Sequence, residues 1–403
     1  MTDAILMTLS GPNHPEGVQN TLDLLADQNV NVLDMNLDVT HNHLNFSILM
    51  ESLGEDDSAL KKELLFMAHN HQLSAGFHAL ESNNYEQWLA EQKGGRFIIT
   101  VLARSLSASQ LAAVGKVAAK HELSFGHVQR LTTPVSLVDK DAAPFECIEL
   151  TTQGSPKDIE HLRSDFLALS TELSMDIAVQ ADDLYRTSRR LVCFDMDSTL
   201  IEVEVIDELA KAAGCGEQVA AITEAAMRGE LDFNESFANR LGTLKGLDES
   251  VLAGIAANLP ITEGAPRLMA TLKKLGYKTA ILSGGFNYFA EYLQQKLGFD
   301  YIYANQLEIE DGKVTGRVVG DVVNGAKKAE LLGMLAEKEG LSPSQVIAVG
   351  DGANDIPMLT KAGLGVAFQA KPVVRAGAKH SISTLGLDAI LYLIGFRDSL
   401  NQD

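Results

Sequence analysis

The chain has 403 residues and a formal net charge of −21, with 46% hydrophobic and 22% charged residues. An acidic surface repels nucleic-acid phosphates and anionic lipids, and no stretch approaches the ~18 uninterrupted apolar residues of a membrane span, so we expect neither a nucleic-acid nor a membrane partner. The chain has only three cysteines, and its first residues lack a signal-peptide pattern. Both features indicate a cytoplasmic protein without disulfides.

Residues 1–85 show the order strand, helix, strand, strand, helix, strand. Apolar runs predict the strands, and apolar residues spaced for one face predict the helices between them. We expect strands at 5–11, 31–39, 44–52 and 73–80, and a helix that follows the turn at 11–17. A second helix is expected over 57–71, with Leu60, Leu64 and Met67 spaced for one face. This βαββαβ order is typical of a ferredoxin-like fold.

Residues 95–182 repeat the same order and predict a second ferredoxin-like domain. Strands are expected at 96–103, 125–131, 145–152 and 175–180, and helices at 107–122 and 156–173. The stretch between the two domains, at 82–95, is polar and ends in Gly-Gly. This composition predicts a linker or interdomain segment.

From residue 188 to residue 403, short apolar runs alternate with longer helical stretches. The runs LVCFDMD, YKTAILSGG and QVIAVGDG end in polar or glycine residues, as buried parallel strands of an α/β sheet do. Ligands bind beyond the carboxyl ends of such strands. Residues from about 208 to 260 have a helical pattern without an apolar strand, which predicts a helical cap inserted into this domain.

Asp195 and Asp197 follow the first of these runs, so both carboxylates leave an extended strand on the same side. Two anions that close together are stable only if they share a cation or a proton. An aspartate is ionised at pH 7 and can attack phosphorus without a separate base, whereas its neighbour can protonate the leaving oxygen and then activate water. The pair therefore predicts a nucleophile and a general acid/base.

Three more segments offer the partners that phosphoryl transfer needs. The Ser-Gly-Gly segment at 283–285 supplies a hydroxyl and backbone N–H groups for phosphate, and Lys328, or its neighbour Lys327, supplies positive charge. The segment GDGAND at 350–355 supplies hard oxygen ligands for magnesium. Each alone would be a turn, a surface lysine or an acidic loop, but all of them together indicate phosphoryl transfer.

These motifs, with DMDST at 195–199, resemble those of the haloacid dehalogenase superfamily, whose members form an aspartyl-phosphate. The resemblance covers about residues 188–403 and implies an α/β hydrolase that uses Mg²⁺. It implies that the nucleophile is Asp195, that the general acid/base is Asp197, and that the metal is held by Asp195, the backbone carbonyl of Asp197, Asp351 and, through water, Asp355. It implies a phosphate site formed by Ser283, Gly284, Lys328 and Asn354.

Within this superfamily the chain is most similar to the phosphoserine phosphatases. Glu204 and Arg240 match the family's substrate-binding positions, and a carboxylate and a guanidinium suit the α-ammonium and the α-carboxylate of phosphoserine. Met227 and Phe233 match positions of the cap that line the pocket. The resemblance implies hydrolysis of O-phospho-L-serine to L-serine and phosphate, the last step of serine biosynthesis.

The two N-terminal domains resemble ACT domains, which bind amino acids on many biosynthetic enzymes. The segment TLSGPNHPEGV carries this resemblance in the first domain. It implies an amino-acid effector and a homodimer. Two other functions stay open: a phosphatase for another small phosphorylated amino acid, and an amino-acid sensor whose phosphatase half is inactive.

Overall fold

The computed structural model describes residues 4–54, 57–91, 95–139, 144–154, 156–228 and 230–400, and only the backbone of Glu91, Met227 and Leu400. Contacts divide the chain into two compact units, residues 1–94 and 95–403. No helix in these described ranges is long and apolar enough to cross a membrane.

The first unit is a ferredoxin-like domain, as predicted. Its elements are β1 (Ala4–Pro12), α1 (Pro15–Asp27), β2 (Val32–Thr40), β3 (His43–Glu51), α2 (Asp57–Asn70) and β4 (Ser74–Leu80). The strands form an antiparallel sheet in the order β2-β3-β1-β4. Leu60, Leu64 and Met67 of α2 are buried, as their helical spacing predicted.

The stretch after β4, predicted as a linker or interdomain segment, forms helix α3 over Ser82–Glu91. Tyr85 and Trp88 are one helical turn apart, and their rings stack with centroids 5.8 Å apart. Both rings line a cavity together with Leu6 and Leu49 of the sheet. Most residues of this stretch are polar, so its composition did not reveal the aromatic face that packs against the sheet.

The second unit begins with another ferredoxin-like domain. Its elements are β5 (Phe97–Ala103), α4 (Ala108–Lys120), β6 (Ser124–Arg130), β7 (Glu146–Gln153), α5 (Ile159–Leu173) and β8 (Asp176–Ala181), with the sheet order β6-β7-β5-β8. Helix α4 begins where Ser107 and Gln110 form a capping box, in which each side chain satisfies the backbone of the other.

The rest of the second unit is an α/β domain built on a mostly parallel sheet. The sheet order is β12-β11-β10-β9-β13-β14-β15, and only β12 is antiparallel to its neighbour. The strands are β9 (Leu191–Phe194), β10 (Lys278–Phe286), β11 (Tyr301–Glu310), β12 (Lys313–Val319), β13 (Val346–Gly350), β14 (Leu364–Phe368) and β15 (His380–Ile382). The three predicted runs are the adjacent central strands β10, β9 and β13.

Helices between β9 and β10 form the predicted cap, and others cover the sheet. The cap contains α6 (Val205–Ala213), α7 (Gly216–Met227), α8 (Phe233–Gly242) and α9 (Ser250–Ala257). The remaining helices are α10 (Ala265–Lys274), α11 (Asn287–Leu297), α12 (Gly325–Lys338), α13 (Ile356–Lys361), α14 (Pro372–Gly377) and α15 (Ile390–Leu393). The described part of the cap consists of helices joined by short loops, with one isolated bridge at Asp248, so it is helical as expected.

The second ferredoxin-like domain is bonded to the α/β domain within this unit. The carboxylate of Asp176 in β8 accepts hydrogen bonds from the backbone N–H groups of Ser383 and Thr384, at 2.7 and 3.1 Å. The side chain of Gln180 donates to the carbonyl of Leu393 at 2.9 Å. Because these groups are buried, breaking the contact would leave them without partners, which is costly.

Candidate active site

The carboxyl ends of the central strands and the cap enclose a cavity of about 170 Å³. It is lined by Asp195, Asp197, Glu204, Ile206, Phe233, Phe237, Arg240, Gly284, Gly285, Phe286, Asp351, Gly352 and Asn354. The predicted residues Ser283, Lys328 and Asp355 are buried behind this lining. The side chain of Met227 lies outside the described part of the chain.

Three carboxylates from two strand ends converge beside this cavity. Oxygens of Asp195, Asp351 and Asp355 all lie within 4.8 Å of one another. The backbone sets this proximity, since the N–H of Asp195 donates to the carbonyl of Val349 at 2.9 Å and holds β9 beside β13. Such a set of oxygen ligands fits a hard divalent cation.

Lys328 lies under the carboxylates and is fully buried. Its Nζ is 2.8 Å from Oδ1 of Asp195 and 2.7 Å from Oδ1 of Asp355. Burial works to lower the pKa of Lys328, but these two carboxylates outweigh it and raise the pKa above its usual value. The neighbouring Lys327 instead pairs with Glu330 at the surface, so the geometry selects Lys328.

Asp195 and Asp351 are hard to ionise without a further cation. Burial, followed by the charge of Asp355, raises the pKa of Asp195 well above its usual value. Burial and the charges of Asp355 and Glu204 raise the pKa of Asp351 to about 7. One lysine does not balance this negative charge, and a divalent cation would lower both pKa values again.

Asp197 faces the cap rather than the carboxylate cluster. Its Oδ1 accepts a hydrogen bond from the backbone N–H of Val205, the first residue of α6, at 3.1 Å. Burial and then the charge of Glu204 raise the pKa of Asp197 well above its usual value. A carboxyl group that holds its proton near neutral pH can act as an acid.

The Ser-Gly-Gly segment ends β10 and forms one wall of the cavity. The Oγ of Ser283 accepts from the N–H of Gly285 at 2.8 Å. A Cβ at Gly285 would lie 2.5 Å from Oδ2 of Asp197, so only glycine fits beside that carboxylate. Asn305 supports the segment, because its amide donates to the carbonyl of Gly284 at 2.7 Å and accepts from the N–H of Val323 at 2.8 Å.

Arg240 lies in the cap and Glu204 in the loop that precedes it, and the two side chains bring opposite charges to the cavity. The Oε1 of Glu204 accepts from the hydroxyl of Ser198 at 2.9 Å. The Nε of Arg240 is buried and has no hydrogen-bond partner among the described residues. Phe233, the first residue of α8, stacks on Phe237 beside them. A donor left without a partner favours an acceptor on a bound molecule.

Some residues that support the site were given no role by the sequence motifs. Asn305 lies in a strand far from them in sequence, and nothing local marks it as a site residue. The hydroxyl of Thr199 donates to Oδ1 of Asp351 at 3.3 Å. From the sequence, Thr199 was known only as the last residue of DMDST and had no role of its own. A Cβ at Gly325 would lie 2.5 Å from the carbonyl oxygen of Asn354, so this glycine lets the start of α12 approach the cluster.

Comparison with known proteins agrees with this geometry. Residues 189–363 match the model of the haloacid dehalogenase-like hydrolase family, and residues 3–78 match the model of the ACT domain. The chain is 39% identical to a phosphoserine phosphatase of Streptomyces coelicolor over 97% of this chain and 92% of that protein. It is 35% identical to a phosphoserine phosphatase of Mycobacterium tuberculosis over 97% of this chain and 93% of that one.

Solved structures show the same likeness. A haloacid dehalogenase family hydrolase from Salmonella enterica is 31% identical with a TM-score of 0.64, over 74% of this chain and 99% of that chain. A probable phosphoserine phosphatase from Vibrio cholerae is 34% identical with a TM-score of 0.59, over 77% of this chain and 90% of that chain. The chain therefore belongs to the phosphoserine phosphatase family of the haloacid dehalogenase-like hydrolases and carries an N-terminal ACT domain.

Proposed function

We propose that this phosphatase hydrolyses O-phospho-L-serine to L-serine and phosphate, with Mg²⁺, through an aspartyl-phosphate on Asp195. One observation carries the proposal. Asp195 and Asp351, two carboxylates of the cluster that suits phosphoryl transfer, line the same cavity as Glu204 and Arg240, which suit the two charged groups of an amino acid.

In the first step a carboxylate oxygen of Asp195 forms a bond to phosphorus. The bond between phosphorus and the seryl oxygen breaks, and that oxygen takes the proton of Asp197 to become the hydroxyl of serine. The raised pKa of Asp197 supports this role, because the carboxyl group must hold a proton before the step.

In the second step water attacks the phosphorus. Asp197, now a carboxylate, accepts a proton from that water, and the bond between phosphorus and Asp195 breaks. Inorganic phosphate leaves, while Asp195 returns as a carboxylate and Asp197 as an acid. A helical cap suits this sequence of events, since water must be kept out during the first step and admitted for the second.

Mg²⁺ fits the ligands that the chain offers. Asp195, Asp351 and the backbone carbonyl of Asp197 would hold it, with Asp355 acting through water. When bound it supplies positive charge that offsets the repulsion between the nucleophile and a phosphate dianion. The donor set supports the proposal, because carboxylate oxygens within 4.8 Å of one another suit a hard cation.

The phosphate is held by Lys328, by Ser283, by the backbone N–H of Gly284 and by Asn354. Lys328 already contacts the nucleophile, so it is placed to balance the charge of the transferring oxygens. Asn354 lines the cavity beside Asp351, and Ser283 lies at the end of β10 next to Gly284.

The amino-acid part of the substrate is held from the cap side. Glu204 binds the α-ammonium group and Arg240 binds the α-carboxylate, for which its guanidinium has a free buried Nε among the described residues. Phe233 lines the pocket on the cap side and would pack against the substrate. This pair of charges selects an amino acid over a sugar phosphate.

The direct test is phosphate release from L-phosphoserine with Mg²⁺, with EDTA, and after Mg²⁺ is restored. We expect turnover only with the metal, and far slower turnover of O-phosphothreonine and glycerol 3-phosphate. Faster turnover of another amino-acid phosphate would favour the alternative substrate. An intact, metal-loaded protein that releases no phosphate from any of them would favour the amino-acid sensor.

We also propose a cytoplasmic enzyme of serine biosynthesis that forms a homodimer and binds serine or a related amino acid at its ACT-like domains. The match of residues 3–78 to the ACT domain supports an amino-acid effector. Titration calorimetry of serine on the intact chain, paired with sedimentation, tests both points. No heat attributable to the N-terminal domains, or a monomer at every concentration, would remove the corresponding proposal.

A further inference from the structure

A second cavity, of about 160 Å³, lies where the second ferredoxin-like domain meets the α/β domain. One side is formed by α5 and β8, and the other by α14 and β15. The carboxylate of Asp176 holds the two domains together next to it through the backbone of Ser383 and Thr384. The cavity is separate from the candidate active site, since no residue lines both.

The lining of this cavity is positively charged in a chain whose net charge is −21. Arg163, Arg375 and Lys379 line it, and Glu160 is the one carboxylate among the described lining residues. Glu160 pairs with Arg163 at 2.5 Å. In the described ranges no carboxylate lies within ion-pairing distance of Arg375 or Lys379. Arg375 and Lys379 therefore carry positive charge that no close ion pair among the described residues neutralises.

Buried nitrogens without hydrogen-bond partners belong to residues that line this cavity. His380 is 5% exposed, and its Nδ1 has no hydrogen-bond partner among the described residues. The Nε atoms of Arg163 and Arg375 are buried without a partner as well. Burial, and then the charges of Arg163, Arg189 and Lys379, lower the pKa of His380 to about 3, as expected in a positive field. Oxygen acceptors on a bound molecule would satisfy these nitrogens.

The wall formed by α5 and β8 also carries apolar side chains. Phe166, Ile177 and Val179 are buried residues of α5 and β8 that line the cavity. An inorganic oxyanion would leave this wall without a contact, whereas a short branched or linear carbon chain would cover it. Positively charged side chains and nitrogens without partners, together with an apolar surface in the same cavity, match a small organic carboxylate.

We propose that this cavity binds a small monocarboxylate with a short apolar chain, at the junction of the second ferredoxin-like domain and the α/β domain. The carboxylate contacts Arg375, Lys379 and His380, and the carbon chain packs against Phe166, Ile177 and Val179. A molecule bound in this way contacts both domains, so it stabilises their junction. Binding at this cavity involves no chemical reaction and does not change the phosphatase chemistry.

The test is titration calorimetry of the intact protein with isobutyrate and with its neutral isostere isobutyramide, in a buffer low in other anions. We expect one saturable site for isobutyrate and at least tenfold weaker binding of the amide, because the amide lacks the charge. The Arg375→Gln and Lys379→Gln variants should each weaken isobutyrate binding about tenfold. Lys116→Gln removes the same charge from an exposed position on α4 and should change nothing.

Two further binding measurements distinguish this site from other anion-binding sites. Asp195→Asn should keep isobutyrate binding unchanged, whether or not the phosphatase proposal is correct. Sulfate tests for an oxyanion without a carbon chain and should bind more weakly than isobutyrate. Lys379 is exposed, so its variant is expected to fold even if Arg375→Gln does not. Equal binding of acid and amide, unchanged affinity in Lys379→Gln, binding of sulfate alone, or no binding of isobutyrate would each overturn the proposal.

Discussion

The ammonium of Lys328 lies 2.8 Å from Oδ1 of Asp195, and both groups are buried beneath the cavity. The same ammonium contacts Asp355 at 2.7 Å. One cation thus holds carboxylates from two strand ends in place.

Lys328→Met should abolish most activity and reduce stability, because it leaves buried carboxylates without their cation. Removing one partner of a buried ion pair costs about 3–5 kcal/mol, and losing a charge that stabilises the transition state lowers kcat by about 10²–10³-fold. Phosphate-release kinetics and urea unfolding measure both effects. Lys327→Met is the matched control, since Lys327 pairs with Glu330 at the surface. Equal losses in the two variants would contradict the assignment of Lys328.

Arg240→Ala should lower kcat/KM for L-phosphoserine about 10²-fold or more, because the α-carboxylate loses a charged partner. O-Phosphoethanolamine has no carboxylate, so its slower turnover should change little in the variant. Arg228→Ala is the control within the cap, as Arg228 pairs with Glu230 at an exposed position. If Arg240→Ala lowers kcat/KM for both substrates to the same extent, the side chain does not recognise the carboxylate.

Asn305→Ala should raise KM and lower kcat although Asn305 does not line the cavity. Its amide fixes the carbonyl of Gly284 and the N–H of Val323, and each lost buried partner costs about 1–3 kcal/mol. Kinetics together with thermal unfolding test this expectation. Asn305→Asp keeps the acceptor but loses the donor, so it should restore the contact with Val323 alone and give an intermediate stability. Wild-type kinetics in Asn305→Ala would show that the Gly284 segment holds its position without this amide.

His380 should make the protein less stable in mild acid. Burial and nearby cations lower its folded pKa to about 3 from an ordinary value of 6.5, so the unfolded chain binds the extra proton first. Stability is therefore fully present above pH 6.5 and falls as the pH drops toward 3, by up to ~1.4 kcal/mol per pH unit. Urea unfolding of wild type and His380→Leu across this range isolates the histidine. A constant difference in the free energy of unfolding would contradict the shift.

The sequence predicted the parts of the fold that repeat a simple period. Leu60, Leu64 and Met67 are spaced for one helix face, and the apolar run before Asp195 marks a buried strand, so both were placed correctly. Helix α3 was missed because its polar composition concealed Tyr85 and Trp88. Such an element depends on packing against a sheet, which composition does not report.

The candidate site likewise contains residues that the sequence predicted and residues that it did not. Asp195, Asp351 and Asp355 belong to short local motifs at strand ends, and the parallel sheet brings those ends together. Asn305 and Gly325 act through contacts between segments distant in sequence, so no local pattern marks them. The resemblance implied Lys328 rather than Lys327, and in the structure Lys328 contacts Asp195 and Asp355 whereas Lys327 pairs with Glu330.

The most direct test of the account is to find the phosphorylated residue during turnover. Protein mixed with L-phosphoserine and Mg²⁺ is quenched in acid within one turnover, digested and sequenced by mass spectrometry. The account predicts one phosphoryl group on Asp195, formed as fast as serine is released and absent in Asp195→Asn. Full turnover with no covalent phosphate at any time, or a phosphoryl group on another residue, would contradict it.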